Sequence, residues 1–180
     1  MFKQSYLTGN FILLVGTPVH FPLAIRHAYL KLLAEDNTLH VNENRLTSAH
    51  QWAIILSPDS TRIVAAAALK LTRTNLRYYQ KIFGPQKASL SLTLNPTRYV
   101  YGLGFIVIAP AFRNRGYCDI LLDALLEQSG DGGVLATAQE QCIKDKLRRK
   151  GFERQGFGWR AGNGGMMSLY LRPGRDPATT

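Results

Sequence analysis

The sequence predicts an α/β fold: a mixed, mostly antiparallel central sheet of six to seven strands flanked by helices. Three observations lead there. Segments rich in apolar and alternating residues flank two turn-forming clusters, Ser57–Thr61 and Ala161–Gly165, so each pair reads as a hairpin. Between the hairpins, Tyr99–Ile108, Asp119–Gln128 and Val134–Ala138 read as strand, helix and strand. That crossover makes its two strands parallel neighbours. Finally, 46% hydrophobic and 19% charged residues over 180 positions is an ordinary globular composition, long enough for one domain with a real core.

Taken in order, Phe11–Val15 is a short apolar strand. Pro22–Glu35 has helical spacing, with Leu23, Ala24, His27, Ala28 and Leu32 recurring at three- and four-residue steps and Pro22 suited to the first turn. Thr38–Ala49 is polar and has no clear period. Gln51–Leu56 and Arg62–Leu71 form the first hairpin, and the alanines at 65–68 suit close packing against a helix. Asn75–Phe83 fits a short helix stopped by Gly84-Pro85, and Lys87–Leu94 alternates as a half-buried strand does. Tyr99–Ile108 is a long strand ended by Pro110. In Asp119–Gln128, Ile120, Leu121, Ala124 and Leu125 make an apolar stripe, widened by Leu122 and Leu126. Gly130–Gly133 breaks that helix. Val134–Ala138 is a buried strand, Gln139–Lys150 a basic helix with Gly151 as its cap, and Phe152–Trp159 and Met166–Leu171 close the second hairpin.

No repeat or linker splits the chain, so residues 1–180 read as a single domain with a flexible tail at 173–180. Two cysteines, Cys118 and Cys142, are too few for a disulfide framework, and no Cys/His spacing suggests zinc. The apolar run Phe11–Val15 is too short for a membrane span or a signal-peptide core. A reducing, cytoplasmic compartment and no membrane partner are the expectation. The formal charge of +10 favours anionic partners. Between Cys142 and Arg175 nine basic residues stand against Asp145 and Glu153, a net of +7, whereas Asp119–Glu140 has five acids and no Lys or Arg. Lys144–Arg154 therefore reads either as a solvated basic face or as a surface that grips phosphates.

The chemistry concentrates in Ile108–Asp119, between the long strand and the apolar helix. A helix N-terminus exposes unpaired N–H groups and the positive end of its dipole, which attract phosphate. Gly116 lets the backbone curl close to an anion, and Arg113 and Arg115 add charge to the same turn. The pattern Pro110-x-x-Arg113-x-x-Gly116-x-Cys118, after a strand and before an amphipathic helix, resembles the pyrophosphate-binding motif of the GNAT superfamily of N-acyltransferases. The likeness continues through a strand, a helix, Gly151-Phe-Glu153 and a closing hairpin, about seventy residues in the family's order.

That resemblance implies residues 99–172 as an acyl-coenzyme-A-binding core, 1–98 as the acceptor-side half, and acetyl-CoA as the acyl donor. Arg113, Asn114, Arg115, Gly116, Tyr117 and Cys118 would hold the pyrophosphate. The backbone of Ile106, Val107 and Ile108 would pair with the pantetheine arm and polarise the thioester carbonyl, beside a slot opened where the Val134–Ala138 strand splays away. The sequence also departs from the family. Cys118 stands where a glycine or alanine is usual. No carboxylate lies on the strand before the loop, only Tyr99 and Tyr101, and Leu147 replaces the usual tyrosine four residues before Gly-Phe. Tyr101 is the candidate proton relay on that strand, and His20, His27, His40, His50, Glu35, Asp36 and Glu43 are candidate bases in the N-terminal half. The expected activity is acyl transfer to a primary amine on an anionic acceptor, protein or nucleic acid. Two alternatives stay open: a GNAT-fold protein that binds or modifies DNA or tRNA, with Arg77–Lys81 offering aromatic faces, or a non-catalytic coenzyme-A-binding interaction module.

Overall fold

The computed structural model describes residues 2–36, 43–72 and 98–174. Expectations for Asn75–Phe83, Lys87–Leu94, Arg77–Lys81, His40 and the tail beyond Gly174 lie outside the described residues. The elements are β1 (Lys3–Tyr6), β2 (Ile12–Gly16), α1 (Leu23–Glu35), α2 (Glu43–Thr47), β3 (Gln51–Leu56), β4 (Ile63–Leu71) and β5 (Tyr101–Ile108). They continue with α3 (Tyr117–Gln128), β6 (Val134–Ala138), α4 (Gln141–Arg149), β7 (Glu153–Arg160) and β8 (Met166–Arg172). The eight strands follow the order β1-β2-β3-β4-β5-β6-β8-β7. β5 and β6 run parallel, as the crossover requires, while β1–β2, β2–β3, β3–β4, β6–β8 and β7–β8 are antiparallel.

The architecture is the mixed, mostly antiparallel sheet with helices read from the sequence, and among the described residues it has eight strands against the six to seven expected. β1 carries no apolar alternation: Lys-Gln-Ser-Tyr lies at the sheet edge with Tyr6 74% exposed. An edge strand needs only backbone partners and can be polar, so hydrophobic pattern does not reveal it.

Two compact units divide the chain: Met1–Lys70 with Gly104–Gln128, and Leu71–Leu103 with Ser129–Thr180. In the first, one face of β3 and β4 packs on α1. Trp52, Ile54, Leu56, Ala66 and Ala68 share a core with Tyr29, Leu32, Leu33, Phe105 and Val107. The intervening Ala53, Ile55, Ala65, Ala67 and Leu69 are also fully buried, and α3 packs against β3. Residues 65–68 are thus alanines in a strand covered on both faces, where small side chains let the layers approach. The helix α1 lies where its spacing predicts, but its phase differs. Leu23 is 56% exposed and His27 is exposed, while Tyr29, Leu32 and Leu33 are the buried positions. The aromatic contact of Tyr29 with Trp52, edge-on with centroids 5.2 Å apart, sets that rotation.

In the second unit β6 pairs with β8 over Val134–Ala138, and β8 pairs with the edge strand β7. The helix α4 covers this hairpin through Leu147, which is fully buried. Phe152, 2% exposed, follows the Gly151 turn, and its N–H bonds to the Leu147 carbonyl at 3.0 Å. The ladder between β5 and β6 spans three residue pairs, Tyr101–Leu103 with Val134–Ala136.

Candidate active site

The Ile108–Asp119 segment folds into a curled, exposed turn. A short 3-10 turn at Pro110–Phe112 leads into Arg113, Asn114, Arg115 and Gly116, all solvent-exposed, and α3 begins at Tyr117. Asn114 (φ 61°) and Gly116 (φ 80°) both take left-handed backbone, which reverses the chain into the helix start. Asparagine tolerates that conformation and glycine is neutral to it. A Cβ at Gly116 would meet nothing within 4 Å, so the space above the turn is open. The first helical bonds run from Asp119 and Ile120 N–H to the Gly116 carbonyl, 2.9 and 3.3 Å. The N–H groups of Tyr117 and Cys118 thus belong to the leading turn, where a helix offers no internal acceptor.

The turn is anchored from below by aromatics. Phe11 meets Phe112 edge-on at 6.0 Å and Tyr117 at 5.3 Å, and the Arg115 guanidinium lies 5.4 Å from the Phe112 ring centroid. Arg113 Nε donates a long bond, 3.4 Å, to the Ile108 carbonyl, and its Nη2 stands 4.0 Å from Asp36. The side chains of Tyr117 and Cys118 are buried, 7% and 3% exposed. Of the six loop residues singled out, these two can therefore offer a ligand only their backbone.

The strand that precedes the turn is irregular. Phe105, in mid-strand, has φ 54°. Backbone bonds link Ala109 N–H to the Val64 carbonyl (2.9 Å) and Thr72 N–H to the Val100 carbonyl (2.9 Å). From Val64 to Thr72 is eight steps along β4, yet from Val100 to Ala109 is nine along β5. One extra residue on β5 is the definition of a β-bulge, and Phe105 in the left-handed region marks it. A phenylalanine held there costs about 1–2 kcal/mol. The surroundings hold it: the Tyr29 hydroxyl, fully buried, donates to the Phe105 carbonyl at 2.7 Å. Burial raises the Tyr29 pKa well above 10, so this hydroxyl stays a donor. A bulge takes backbone groups out of the ladder, immediately before Ile106–Ile108.

Beside the bulge lies Lys70, a lysine that is 6% exposed. Its Nζ is 4.4 Å from the Phe105 ring centroid, and a Cβ on Gly104 would lie 2.9 Å from that nitrogen. The Arg45 guanidinium of α2 stands 6.0 Å from the same ring. Burial first, and the Arg45 charge second, lower the Lys70 pKa from 10.5 to about 7.

The remaining candidates are scattered. Tyr101 opens β5 in the second unit, its ring against Gly132, where an added Cβ would lie 2.7 Å from it. His20 and His27 are exposed, His20 Nδ1 lying 3.1 Å from the Thr17 hydroxyl. His50 is partly buried, which lowers its pKa, and its backbone N–H bonds to the Leu69 carbonyl at 2.8 Å. Glu35 and Glu43 are exposed, and Asp36 faces Arg113. The features that spacing did not reveal are Tyr29, the Phe105 bulge and Lys70. The available signal was the Lys70 charge within an otherwise apolar run, Ile63–Leu71.

This order of strands and helices, with an exposed turn between β5 and α3, is the fold of the GNAT N-acyltransferases. Solved structures with the same arrangement include an acyl-CoA N-acyltransferase from Pseudomonas aeruginosa, 14% identical, with a TM-score of 0.62 over 89% of this chain and 97% of the other. The ribosomal-protein-S18-alanine N-acetyltransferase from Escherichia coli is 10% identical, with a TM-score of 0.62 over 93% of this chain and 98% of its own. Arabidopsis thaliana NAA60 in complex with acetyl-CoA is 10% identical, with a TM-score of 0.62 over 89% of this chain and 99% of its own. No family model and no curated protein matches the sequence itself. Among the described residues no helix is long and apolar enough to cross a membrane.

Proposed function

We propose that the chain is an acyl-CoA-dependent N-acyltransferase, moving an acyl group, acetyl in the first instance, from coenzyme A to a primary amine. The single observation that carries this reading is the turn Arg113–Gly116: exposed, curled by two left-handed residues, open above Gly116, and placed at the start of α3. Such a turn brings two arginines next to the leading N–H groups of a helix, residue types that suit two adjacent phosphates. The GNAT fold and the acyltransferase neighbours support the same assignment.

The acyl-CoA supplies an activated thioester carbonyl, and the protein supplies place and polarity. Arg113, Asn114, Arg115 and Gly116, with the N–H groups of Tyr117 and Cys118, would hold the pyrophosphate. Ile106, Val107 and Ile108 would offer backbone to the pantetheine arm. The bulge at Phe105 would free a backbone N–H to stabilise negative charge on the carbonyl oxygen as the amine attacks, held in place by Tyr29. The acceptor is a primary amine borne on an anionic molecule, protein or nucleic acid, in keeping with the net charge of +10.

Calorimetric titration tests the reading. Acetyl-CoA and coenzyme A should bind wild type with a Kd in the micromolar range, about −8 kcal/mol. Charge reversal by Arg113→Glu with Arg115→Glu should weaken binding by about a hundredfold or more. A wild type that ignores every coenzyme A form would remove the transferase reading altogether.

A further inference from the structure

Lys70 is the penultimate residue of β4, in an otherwise apolar run, and is the one lysine of that strand. Its side chain is buried, and its amine rests over Phe105, the residue that makes the bulge, and against Gly104. Gly104 takes no left-handed backbone, so its glycine is not a demand of the main chain. What the missing Cβ provides is room, since a methyl there would come within 2.9 Å of Nζ. The strand β5 itself, Tyr101–Ile108, carries no Asp, Glu or His. The titratable and charged groups set around the bulge include Lys70 from β4, Arg45 from α2 and the Tyr29 hydroxyl from α1. Tyr29 already spends its proton on the Phe105 carbonyl, and a guanidinium does not give up its charge.

Resting on the transferase reading, we propose that Lys70, lodged between Gly104 and the Phe105 ring, is the proton carrier of the acyl transfer. The acceptor ammonium passes a proton to the neutral amine of Lys70. The freed lone pair forms the C–N bond at the thioester carbonyl carbon, and the C–S bond breaks with its electron pair on sulfur. Lys70 returns the proton to the thiolate, giving the thiol, and the second N–H proton passes to water. Lys70 ends as it began. Its surroundings suit that role: burial and the Arg45 charge favour the neutral amine near neutral pH, where a carrier must both accept and release a proton.

Two measurements on the full chain decide the matter. The first needs no acceptor: the protein is labelled with carbon-13 lysine, the Lys70 signal is identified by its loss in Lys70→Met, and the pH is varied from about 5 to about 10. Lys70 should titrate near pH 7, with the other lysines still charged; a Lys70 that stays charged beyond about pH 9 overturns the proposal. The second follows thiol release from acetyl-CoA with a panel of primary amines: short peptides with free N-termini, lysine-bearing peptides, and nucleotides with exocyclic amines. Lys70→Met should lower turnover by about a hundredfold while acetyl-CoA affinity changes by less than about twofold. Its residual rate should lack the wild-type limb near pH 7, and Lys70→Arg should not rescue it. Gly104→Ala, which pushes Nζ from its place, should lower the rate with the lysine still present. Retention of about a third of the rate in Lys70→Met, or no turnover of any amine by a wild type that binds acetyl-CoA, overturns the proposal. Failure of wild type to bind acetyl-CoA at all is the different result that removes the transferase reading, and this proposal with it.

Discussion

A buried lysine leaves a mark on stability that can be read without knowing the acceptor. In the unfolded chain Lys70 keeps its proton up to about pH 10.4, whereas in the fold its pKa lies at about 7. Between those limits the unfolded state binds the extra proton, so stability contributed by this group rises with pH and is flat below about pH 7. Burying it therefore costs up to several kcal/mol near neutrality, in order of magnitude, because each tenfold loss of proton affinity is worth about 1.4 kcal/mol. Lys70→Met should raise the denaturant midpoint at neutral pH and flatten the pH slope of stability, even as it removes turnover. A gain of stability with loss of activity is the mark of a residue kept for chemistry. Tyr29 should behave in the opposite way. Tyr29→Phe removes a buried donor and leaves the Phe105 carbonyl unsatisfied, costing about 1–2 kcal/mol. If the bulge positions a reacting carbonyl, kcat should also fall by about tenfold with little change in KM for acetyl-CoA. Steady-state kinetics at a temperature where circular dichroism shows the variant fully folded separates that outcome from a simple loss of stability, which would lower the apparent kcat only where part of the protein is unfolded.

At the scale of elements, the readable features were those with a local cause. The exposed turn before α3 was legible because Pro110, Arg113 and Gly116 each do a local job: stopping a strand, adding charge, and taking left-handed backbone. The first hairpin was legible for the same reason. Its turn is tied by Ser57 Oγ and by Thr61 N–H, 3.2 Å, both donating to the Asp59 carboxylate, which lowers the Asp59 pKa to about 2, with the Ser57 bond as the largest cause. Folded-state depression means that this support is present above about pH 4 and is lost as pH falls toward about 2. Asp59→Asn should therefore flatten the acid limb of the thermal unfolding curve while leaving coenzyme A binding intact. What the sequence did not disclose is non-local. The bulge depends on Tyr29 reaching a carbonyl seventy-six positions away, and Phe105 has no turn-forming signature. Likewise α1 was found by spacing, but its buried face was chosen by Trp52 and not by its own weak apolar stripe. Pattern finds a helix; its partner decides its rotation.

For the whole molecule, the question is what the charge is for. Lys144, Lys146, Arg148, Arg149, Arg154 and Arg160 fall on α4 and β7 of the second unit, whereas Arg113 and Arg115 sit on the turn of the first. Part of that basic set is already engaged within the fold. Arg148 bonds to Asp145 at 2.9 Å and lies 5.9 Å from the Tyr170 ring centroid, and Lys144 Nζ donates to the Met166 carbonyl at 3.1 Å. Exposed pairs of this kind contribute little to stability, so the charge of α4 is better accounted for as a field than as a set of struts. A field acts over roughly 10 Å at moderate salt and weakens as salt rises. Two kinds of anion can then be told apart. A single-stranded oligonucleotide should bind the full chain at low salt and lose affinity steeply as salt rises, and charge reversal at Lys146 and Arg149 should weaken it by about tenfold. Those same substitutions should leave the acetyl-CoA affinity within about twofold, because on the proposed reading the Arg113–Gly116 turn would hold the pyrophosphate through directed N–H groups and its own two arginines. Fluorescence anisotropy with a labelled oligonucleotide, run beside the coenzyme A titration, measures both. Equal losses for the two ligands would mean that the basic helix and the turn serve one site, and the acceptor would then have to be sought among amines carried on long polyanions.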